Sequence, residues 1–205
     1  YIMNNIIYNI DNSSSAHEAS AITVPTGNWG VYLYNNTVYY VKTTTGGDDA
    51  FCFSIHDTDT FIKNNIAARP QAASASDAKC FAESGFSGST HDYNLSTDST
   101  ATGTNSVTGE AYGDLFVSST AGSEDLHLKT GAGAIGAGVD LGTSPTGVNI
   151  DIDGRDRDSE GDDWDIGADQ TAVSVVNVTA THTGITDTTH TERYADAPQE
   201  TSIAD

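Results

Sequence analysis

The sequence predicts an all-β solenoid, in which successive turns of the chain lie on one another and contribute strands to shared parallel sheets. The main observation is a series of asparagine-bearing segments whose second Asn recurs at steps of 31, 29 and 29 residues. These residues are Asn5, Asn36, Asn65 and Asn94. A second landmark, an Ala-led segment, begins at Ala21, Ala50 and Ala78. Two landmarks that share one period are typical of a repeat architecture.

Short runs of β-forming residues, separated by clusters of Gly, Asn, Asp and Ser, predict the strands. The clearest runs are residues 31–33, 38–41, 51–55 and 61–62. No window shows sustained helical periodicity, and only residues 72–81 have the composition of a helix. The chain is therefore predicted to contain almost no helix.

The recurring asparagines predict a column of side chains along the axis of the stack. An amide carries both a donor and an acceptor, so each Asn can bond the one above and the one below. Asn also tolerates the left-handed backbone that a tight corner needs. Apolar residues flank the column on both sides, and we expect them to stack as well. They are Ile2, Leu33 and Ile62 before it, and Ile6, Thr37, Ile66 and Leu95 after it.

The later part of the chain contains six short segments in a characteristic order. They are DYNL at 92–95, GDLFV at 113–117, DLHLK at 125–129, AIGAG at 134–138, DIDG at 151–154 followed by Arg157, and DIGA at 165–168. This series resembles the closing region of right-handed parallel β-helix proteins of the pectate-lyase-like kind. Two departures concern the turns, because Asp114-Leu115 and Gly133-Ala134 stand where that family usually has Asp-Pro and Ser-Pro.

The resemblance covers about residues 1–170 and implies a right-handed parallel β-helix. It divides the chain into coils at 1–117, a C-terminal closing segment at 118–170, and a strand plus a Thr-rich tail at 171–205. Within the last part we expect a strand at 172–178 and an extended arm from 179. Because Tyr1 stands inside a repeat, we expect further coils to precede it. Those coils, or a second copy of the chain, would cover the open end.

The composition argues against several classes of partner. The formal net charge is −21, with 8 Lys and Arg against 29 Asp and Glu, so a nucleic-acid partner is not expected. No apolar run approaches the length of a membrane span. The richness in Thr, Ser, Asn, Asp and Gly is typical of an extracellular, cell-surface or virion protein.

Calcium is the one cofactor that the sequence suggests. Asn149, Asp151, Asp153 and Glu160 are spaced like the ligands of a calcium loop, which wraps oxygens around one ion. The alternative is a structural turn in which Arg157 bridges carboxylates and closes the last coil.

Two further features have structural interpretations. Cys52 and Cys80 lie one repeat apart and predict either a disulfide or, as we favour, a stack of reduced thiols. Residues 131–136 match G-x-G-x-x-G but are not followed by a helical segment, so they predict a packing turn rather than a nucleotide site.

The resemblance also implies candidates for polysaccharide lyase chemistry. Such enzymes use a Lys or Arg as base and a cation to neutralise the substrate acid, which makes Lys63 and Arg69 candidate bases and Asp92 a carboxylate that could hold the cation. The alternative for Lys63 and Asp92 is an ordinary solvated pair across two strands. A uronate polymer would also be repelled by so acidic a surface.

Exposed tyrosines favour a binding function. Tyr32, Tyr34 and Tyr40 are predicted to face outward, where their rings can stack on sugars or pack against a neighbouring subunit. Tyr1, Tyr32 and Phe61 are expected to form one column. Three functions follow: a non-catalytic scaffold or adhesion module that binds polysaccharide, the C-terminal part of a polysaccharide lyase or hydrolase, or a structural capping and oligomerisation segment.

Overall fold

The computed structural model describes residues 1–12, 17–27, 30–44, 48–83, 90–158, 163–172, 176–180 and 190–194. It is an all-β chain with almost no helix. In chain order the strands are β1 (Ile2–Met3), β2 (Ile6–Asp11), β3 (Ala19–Val24), β4 (Val31–Tyr34), β5 (Thr37–Lys42), β6 (Ala50–Ile55), β7 (Thr60–Lys63), β8 (Ile66–Gln71), β9 (Ala78–Glu83), β10 (Thr90–Asp92), β11 (Leu95–Ser96), β12 (Val107–Thr108), β13 (Phe116–Ser118), β14 (Asp125–Leu128), β15 (Val176–Ala180) and β16 (His190–Tyr194).

Three parallel sheets each receive one strand from each of the first three repeats. Sheet A has the order β1-β4-β7-β10, sheet B has β2-β5-β8-β11-β12, and sheet C has β3-β6-β9. Every pair of neighbours in these sheets is parallel. The chain therefore visits the sheets in the same sequence in each repeat.

The strand register confirms both predicted apolar columns. In sheet A, Ile2 pairs with Leu33 and Leu33 with Ile62. In sheet B, the column runs through Ile6, Thr37, Ile66 and Leu95. Leu33, Ile62 and Leu95 are fully buried.

The Ala-led segments do form a sheet, as predicted, but in the first repeat the residue in register is two positions earlier than the sequence indicated. Ala50 pairs with Ala19, not with Ala21, and with Ala78 on its other side. The first repeat is 31 residues long in all three sheets, whereas the sequence alignment at Ala21 assumed 29. A shift of two keeps the same face of the strand, so the inward positions were still identified.

Helix is confined to two short pieces among the described residues. One is a four-residue helix, α1 (Tyr112–Leu115), and the other is a 3-10 turn at Ala75–Asp77. The segment 72–81, which had the composition of a helix, instead leads through that turn into β9.

The second asparagines form the predicted hydrogen-bonded column, which we call the amide column (Asn5, Asn36, Asn65 and Asn94). The Nδ2 atom of each donates to the Oδ1 atom of the next, over 2.9 Å, 2.9 Å and 3.0 Å. The Oδ1 atoms of Asn36, Asn65 and Asn94 also accept the backbone N–H of the preceding member of the column. Asn36 and Asn65 are fully buried, and the neighbouring members of the column supply hydrogen-bond partners to both side chains.

The first asparagine of each pair has a different partner. Asn4, Asn35 and Asn64 lie at the left-handed corners, with φ of 56°, 52° and 57°. Their Nδ2 atoms donate to the carbonyls of Gly147, Val148 and Val139, over 2.7 Å, 2.8 Å and 2.8 Å. The closing segment thus binds one corner in each of three repeats.

Sheet B consequently has two buried faces. Its inner face joins the core between the three sheets through residues such as Val38 and Val41. Its outer face, including Tyr39 and Ile66, packs against Phe116, Leu128, Ile166 and their neighbours in the closing segment. The closing segment therefore runs along the outside of sheet B.

Residues Ala172–Asp205 form a separate compact unit. Its described part is an antiparallel pair of β15 with β16. β15 overlaps the strand that the sequence predicted, and β16 lies where the composition predicted an extended arm. Among the described residues, no helix is long and apolar enough to cross a membrane.

Candidate functional site

A second series of left-handed residues crosses sheet B, and we call it the left-handed column (Asn9, Tyr40 and Arg69). Their φ angles are 58°, 60° and 57°, and each lies inside its strand. The strand pairing skips them, because Tyr39 pairs with Ala68 and the next pair is Val41 with Pro70. This conformation costs a residue with a side chain about 1–2 kcal/mol. Asn tolerates it, whereas Tyr and Arg carry the cost without local compensation.

The Arg69 guanidinium lies among three tyrosines. Its Cζ atom is 4.5 Å from the centre of the Tyr40 ring and 4.9 Å from that of Tyr112. Its Nη1 atom donates to the Tyr39 hydroxyl over 2.6 Å, and that hydroxyl donates to the carbonyl of Ser119. The left-handed backbone thus directs a cation into an aromatic setting.

The electrostatics keep Arg69 charged. Partial burial acts to lower its pKa, but the hydrogen bond to Tyr39 and the surrounding tyrosines leave the pKa of Arg69 above its ordinary value. A general base must be able to lose its proton near the working pH. Arg69 is therefore suited to binding and not to proton abstraction.

Arg69 lines a groove of about 1000 Å³ on the outside of sheet B. The groove offers donors, acceptors and an aromatic ring together. The residues that supply them are Lys42, Arg69, Gln71, Asp98, Glu110 and Tyr112. Tyr112 is 38% exposed, and Tyr40 reaches the site through its contact with Arg69.

The carboxylates of this groove already accept hydrogen bonds from the protein. Asp98 accepts from the backbone N–H groups of Cys80 and Thr100. Glu110 accepts from the backbone N–H of Gly133 over 2.9 Å. Their positions are therefore fixed by the fold.

Lys63 and Asp92, the other two lyase candidates, lie apart from Arg69 in a different sheet. They are paired in register on β7 and β10 of sheet A. Both oxygens of Asp92 are occupied, because Oδ1 accepts from the N–H groups of Tyr93 and Asn105 and Oδ2 from the Asn105 amide. Although partial burial acts to raise it, these bonds hold the pKa of Asp92 below its usual range. Asp92 thus organises the loop at 103–105.

Tyr32 and Tyr34 also lie on sheet A. Tyr32 stacks on Tyr1 and on Phe61, with ring centres 4.7 Å apart in each case, which confirms the predicted column. Tyr34 meets the edge of Tyr32 at 5.7 Å. Burial, followed by the neighbouring Tyr32 and Tyr1, raises the pKa of Tyr34 to about 12. Because Tyr32 has a ring on each face, it offers a sugar only its edge.

Three of the four predicted calcium ligands lie in the described residues, where each has contacts with other groups of the protein. Asn149 donates to Asp156 over 2.9 Å, and buried Asp151 accepts the N–H groups of Asp153, Arg155 and Gln170. Asp153 is exposed and faces His127. Glu160 lies outside the described residues.

Arg157 is fully buried, and the partners of its guanidinium among the described residues are carbonyl oxygens, not the carboxylates that the alternative interpretation expected. Its Nη2 atom donates to the carbonyls of Gly167 and Ala168, each over 2.9 Å. Its Nη1 atom donates to the side-chain oxygen of Gln170 and to two further carbonyls. Burial lowers the pKa of Arg157, opposed by the nearby aspartates. Its role is to organise the loop at 165–170, beside sheet B.

The remaining sequence motifs are structural. Cys52 and Cys80 are buried free thiols, and the residues on either side of them are paired between β6 and β9. The glycine-rich segment 131–136 forms turns, in which the N–H of Gly136 donates to Asp165.

One cluster was missed in the sequence. His127, Asp153 and Asp169 come from three separate stretches of the chain, and one ligand atom of each lies within 4.8 Å of the others. His127 alternates in β14 with the buried Leu126 and Leu128, which shows that it faces away from that core. In the sequence, that alternation indicates a histidine that faces outward, but it does not identify Asp153 and Asp169 as its neighbours.

The chain has no counterpart in the comparisons with known proteins: no protein family, no curated protein and no solved structure matches it.

Proposed function

We propose that the chain is a right-handed parallel β-helix that serves as a non-catalytic adhesion module and binds carbohydrate in the groove beside Arg69. Three features support the β-helix: the three parallel sheets, the constant order in which the chain contributes strands to them, and the amide column. We propose an extracellular, cell-surface or virion location, in keeping with the acidic composition.

The observation that carries the binding proposal is the arrangement of Arg69 between Tyr40 and Tyr112 at the groove. Two left-handed residues in adjacent strands, neither of them Gly or Asn, hold these groups in place. Unfavourable backbone conformations persist where the surrounding structure compensates for them, and they cluster at functional sites. The cost at Tyr40 and Arg69 therefore favours a role in binding.

The chemistry of the groove favours a neutral, hydroxyl-rich ligand. Arg69, Lys42 and Gln71 donate hydrogen bonds, Asp98 and Glu110 offer carboxylate oxygens, and Tyr112 offers an apolar ring surface. Sugars require this combination of donors, acceptors and a ring face. The net charge of −21 disfavours a polyuronate.

The test is binding to an array of neutral and acidic glycans. We expect the wild-type chain to bind neutral oligosaccharides, and Tyr112→Ala to reduce that affinity at least about tenfold, since a central aromatic contact typically contributes more than 1.4 kcal/mol. Tyr8→Ala is the matched control, because Tyr8 is 47% exposed on β2 and lies outside the groove lining. Equal losses in the two variants, or no binding of any glycan, would contradict the proposal.

A further inference from the structure

The cluster of His127, Asp153 and Asp169 lies in the closing segment, apart from the groove, and nothing in the proposed carbohydrate binding uses it. His127 stands on β14, Asp153 in the turn at 151–154, and Asp169 in the loop that Arg157 organises. Their ligand atoms converge within 4.8 Å although the residues are separated by up to 42 positions. The fold therefore brings them together.

The orientation of the His127 ring is fixed from one side. Its Nδ1 atom contacts Oδ1 of Asp125, which is an acceptor, so Nδ1 carries the proton of this pair. The opposite atom, Nε2, lies 3.3 Å from Oδ2 of Asp153. A neutral imidazole would therefore present a lone pair to a carboxylate oxygen, and this contact requires a cation or a second proton between the two atoms. Metal-binding histidines commonly have this carboxylate contact on their other nitrogen.

Asp169 supplies a buried anionic oxygen on the other side. The residue is only 5% exposed, and its Oδ2 atom accepts the backbone N–H of Leu128 over 2.8 Å. One carboxylate oxygen of Asp169 also lies within 4.8 Å of the ligand atoms of His127 and Asp153. A nearby cation would stabilise the negative charge of so buried a residue.

We propose that His127, Asp153 and Asp169 bind a divalent transition-metal ion of the zinc type. One imidazole nitrogen and two carboxylate oxygens are a ligand set that Zn²⁺ accepts, whereas Ca²⁺ takes oxygen ligands. Ligands about 2.1 Å from one ion lie roughly 3–4 Å from each other, so a small rotation of the exposed Asp153 side chain completes the site. The remaining coordination positions face solvent and take water.

The site also has a structural consequence. Asp153, Asp169 and His127 belong to three parts of the closing segment, and an ion held by all three would link them. An ion that binds the folded chain and not the unfolded one raises its stability in proportion to the logarithm of its concentration. We therefore expect Zn²⁺ to raise the melting temperature of the chain.

The experiment is calorimetric titration of Zn²⁺ into the full chain after treatment with EDTA. We expect one ion per wild-type chain, and at least about tenfold weaker binding for His127→Ala and for Asp153→Asn. His17→Ala is the matched control, because it removes an exposed histidine elsewhere and should bind as the wild type does.

Two further measurements distinguish a loss of metal binding from a loss of folding. Asp153 is exposed, so Asp153→Asn should unfold in EDTA at the wild-type temperature. Co²⁺ added in place of Zn²⁺ should give a visible absorption band in the wild type and in His17→Ala, but not in His127→Ala. No ion bound by the wild type, or equal binding in all variants, would overturn the proposal and leave His127 as a protonated partner of its aspartates.

Discussion

The amide column and the left-handed column occupy repeated positions of the same stack, yet they differ in how their residues vary. In the amide column every member is Asn, because each side chain has another copy of itself above and below. In the left-handed column the residues are Asn9, Tyr40 and Arg69, and their contacts differ: Asn9 donates to Glu124, whereas Arg69 donates to Tyr39 and lies over the Tyr40 ring. In a stacked fold, constant residues thus maintain the stack, and a position that changes from repeat to repeat is free to acquire a function.

The largest expected effect is at the centre of the amide column. Asn65→Ala removes the acceptor of the Asn36 amide and the donor to Leu33, and it leaves both groups buried. Each unsatisfied buried group costs about 1–3 kcal/mol, so we expect the loss of two partners to lower the free energy of unfolding by about 2–6 kcal/mol. Urea unfolding measures this change.

The end of the same column provides the control for that comparison. Asn5→Ala removes an exposed amide with one neighbour in the column and should cost only about 1 kcal/mol. Equal costs at Asn5 and Asn65 would show that the amides do not act as a continuous series.

A smaller effect on stability, but a large one on binding, is expected in the left-handed column. Arg69→Asn places at this position the residue that Asn9 already provides in the first repeat. Relief of the left-handed cost offsets the lost contacts with Tyr39 and Tyr40, so stability should stay within about 1 kcal/mol of the wild type. Glycan affinity should fall at least about tenfold.

Arg69→Lys completes this test. It keeps the charge and the backbone cost but loses the planar group that stacks on the tyrosines. We expect it to be no more stable than Arg69→Asn and to bind glycan more weakly than the wild type. If Arg69→Asn unfolds much more easily while binding is retained, the left-handed column is structural after all.

The smallest effect concerns Tyr34, beside the aromatic column of sheet A. Its pKa is raised from 10.0 to about 12 by burial and by Tyr32 and Tyr1, so the folded state favours its neutral form. The stability it contributes is present below pH 10 and is lost as the pH rises from 10 towards 12. Solvent screening keeps this contribution small, since the side chain is only half-buried.

A spectroscopic titration isolates that residue. The absorbance of phenolate should show a late step near pH 12 in the wild type that disappears in Tyr34→Phe. Tyr8→Phe, which changes an exposed ring, should keep the late step. Superimposable curves for wild type and Tyr34→Phe above pH 10 would show that the ring is not protected.

The sequence was sufficient to predict the stack, because the period places equivalent residues side by side and Asn can bond only in a few ways. Asn36, Asn65 and the apolar columns were located in this manner. The route of the closing segment was not predictable, since its contacts with Asn35 and Asn64 join residues 75 or more positions apart through backbone carbonyls. Any residue can supply such a carbonyl.

The site was predicted in pieces for the same reason. Tyr40 and Arg69 were both named as candidates, but their meeting depends on the shared left-handed backbone, which neither residue type indicates. Tyr112 lies on a four-residue helix that no periodicity could reveal. The cluster at His127 requires three distant turns, and no spacing in the sequence marks it.

The contacts of Asn4, Asn35 and Asn64 with the closing segment have a consequence for how such a protein can change in length. Residues 139–148 reach corners in three successive repeats, at one fixed set of distances. Duplication or deletion of a whole repeat between Asn4 and Asn64 would leave the sheets continuous but would shift an anchor by one strand spacing, about 4.8 Å. A chain fastened in this way is expected to lengthen only by adding repeats beyond the fastened corners.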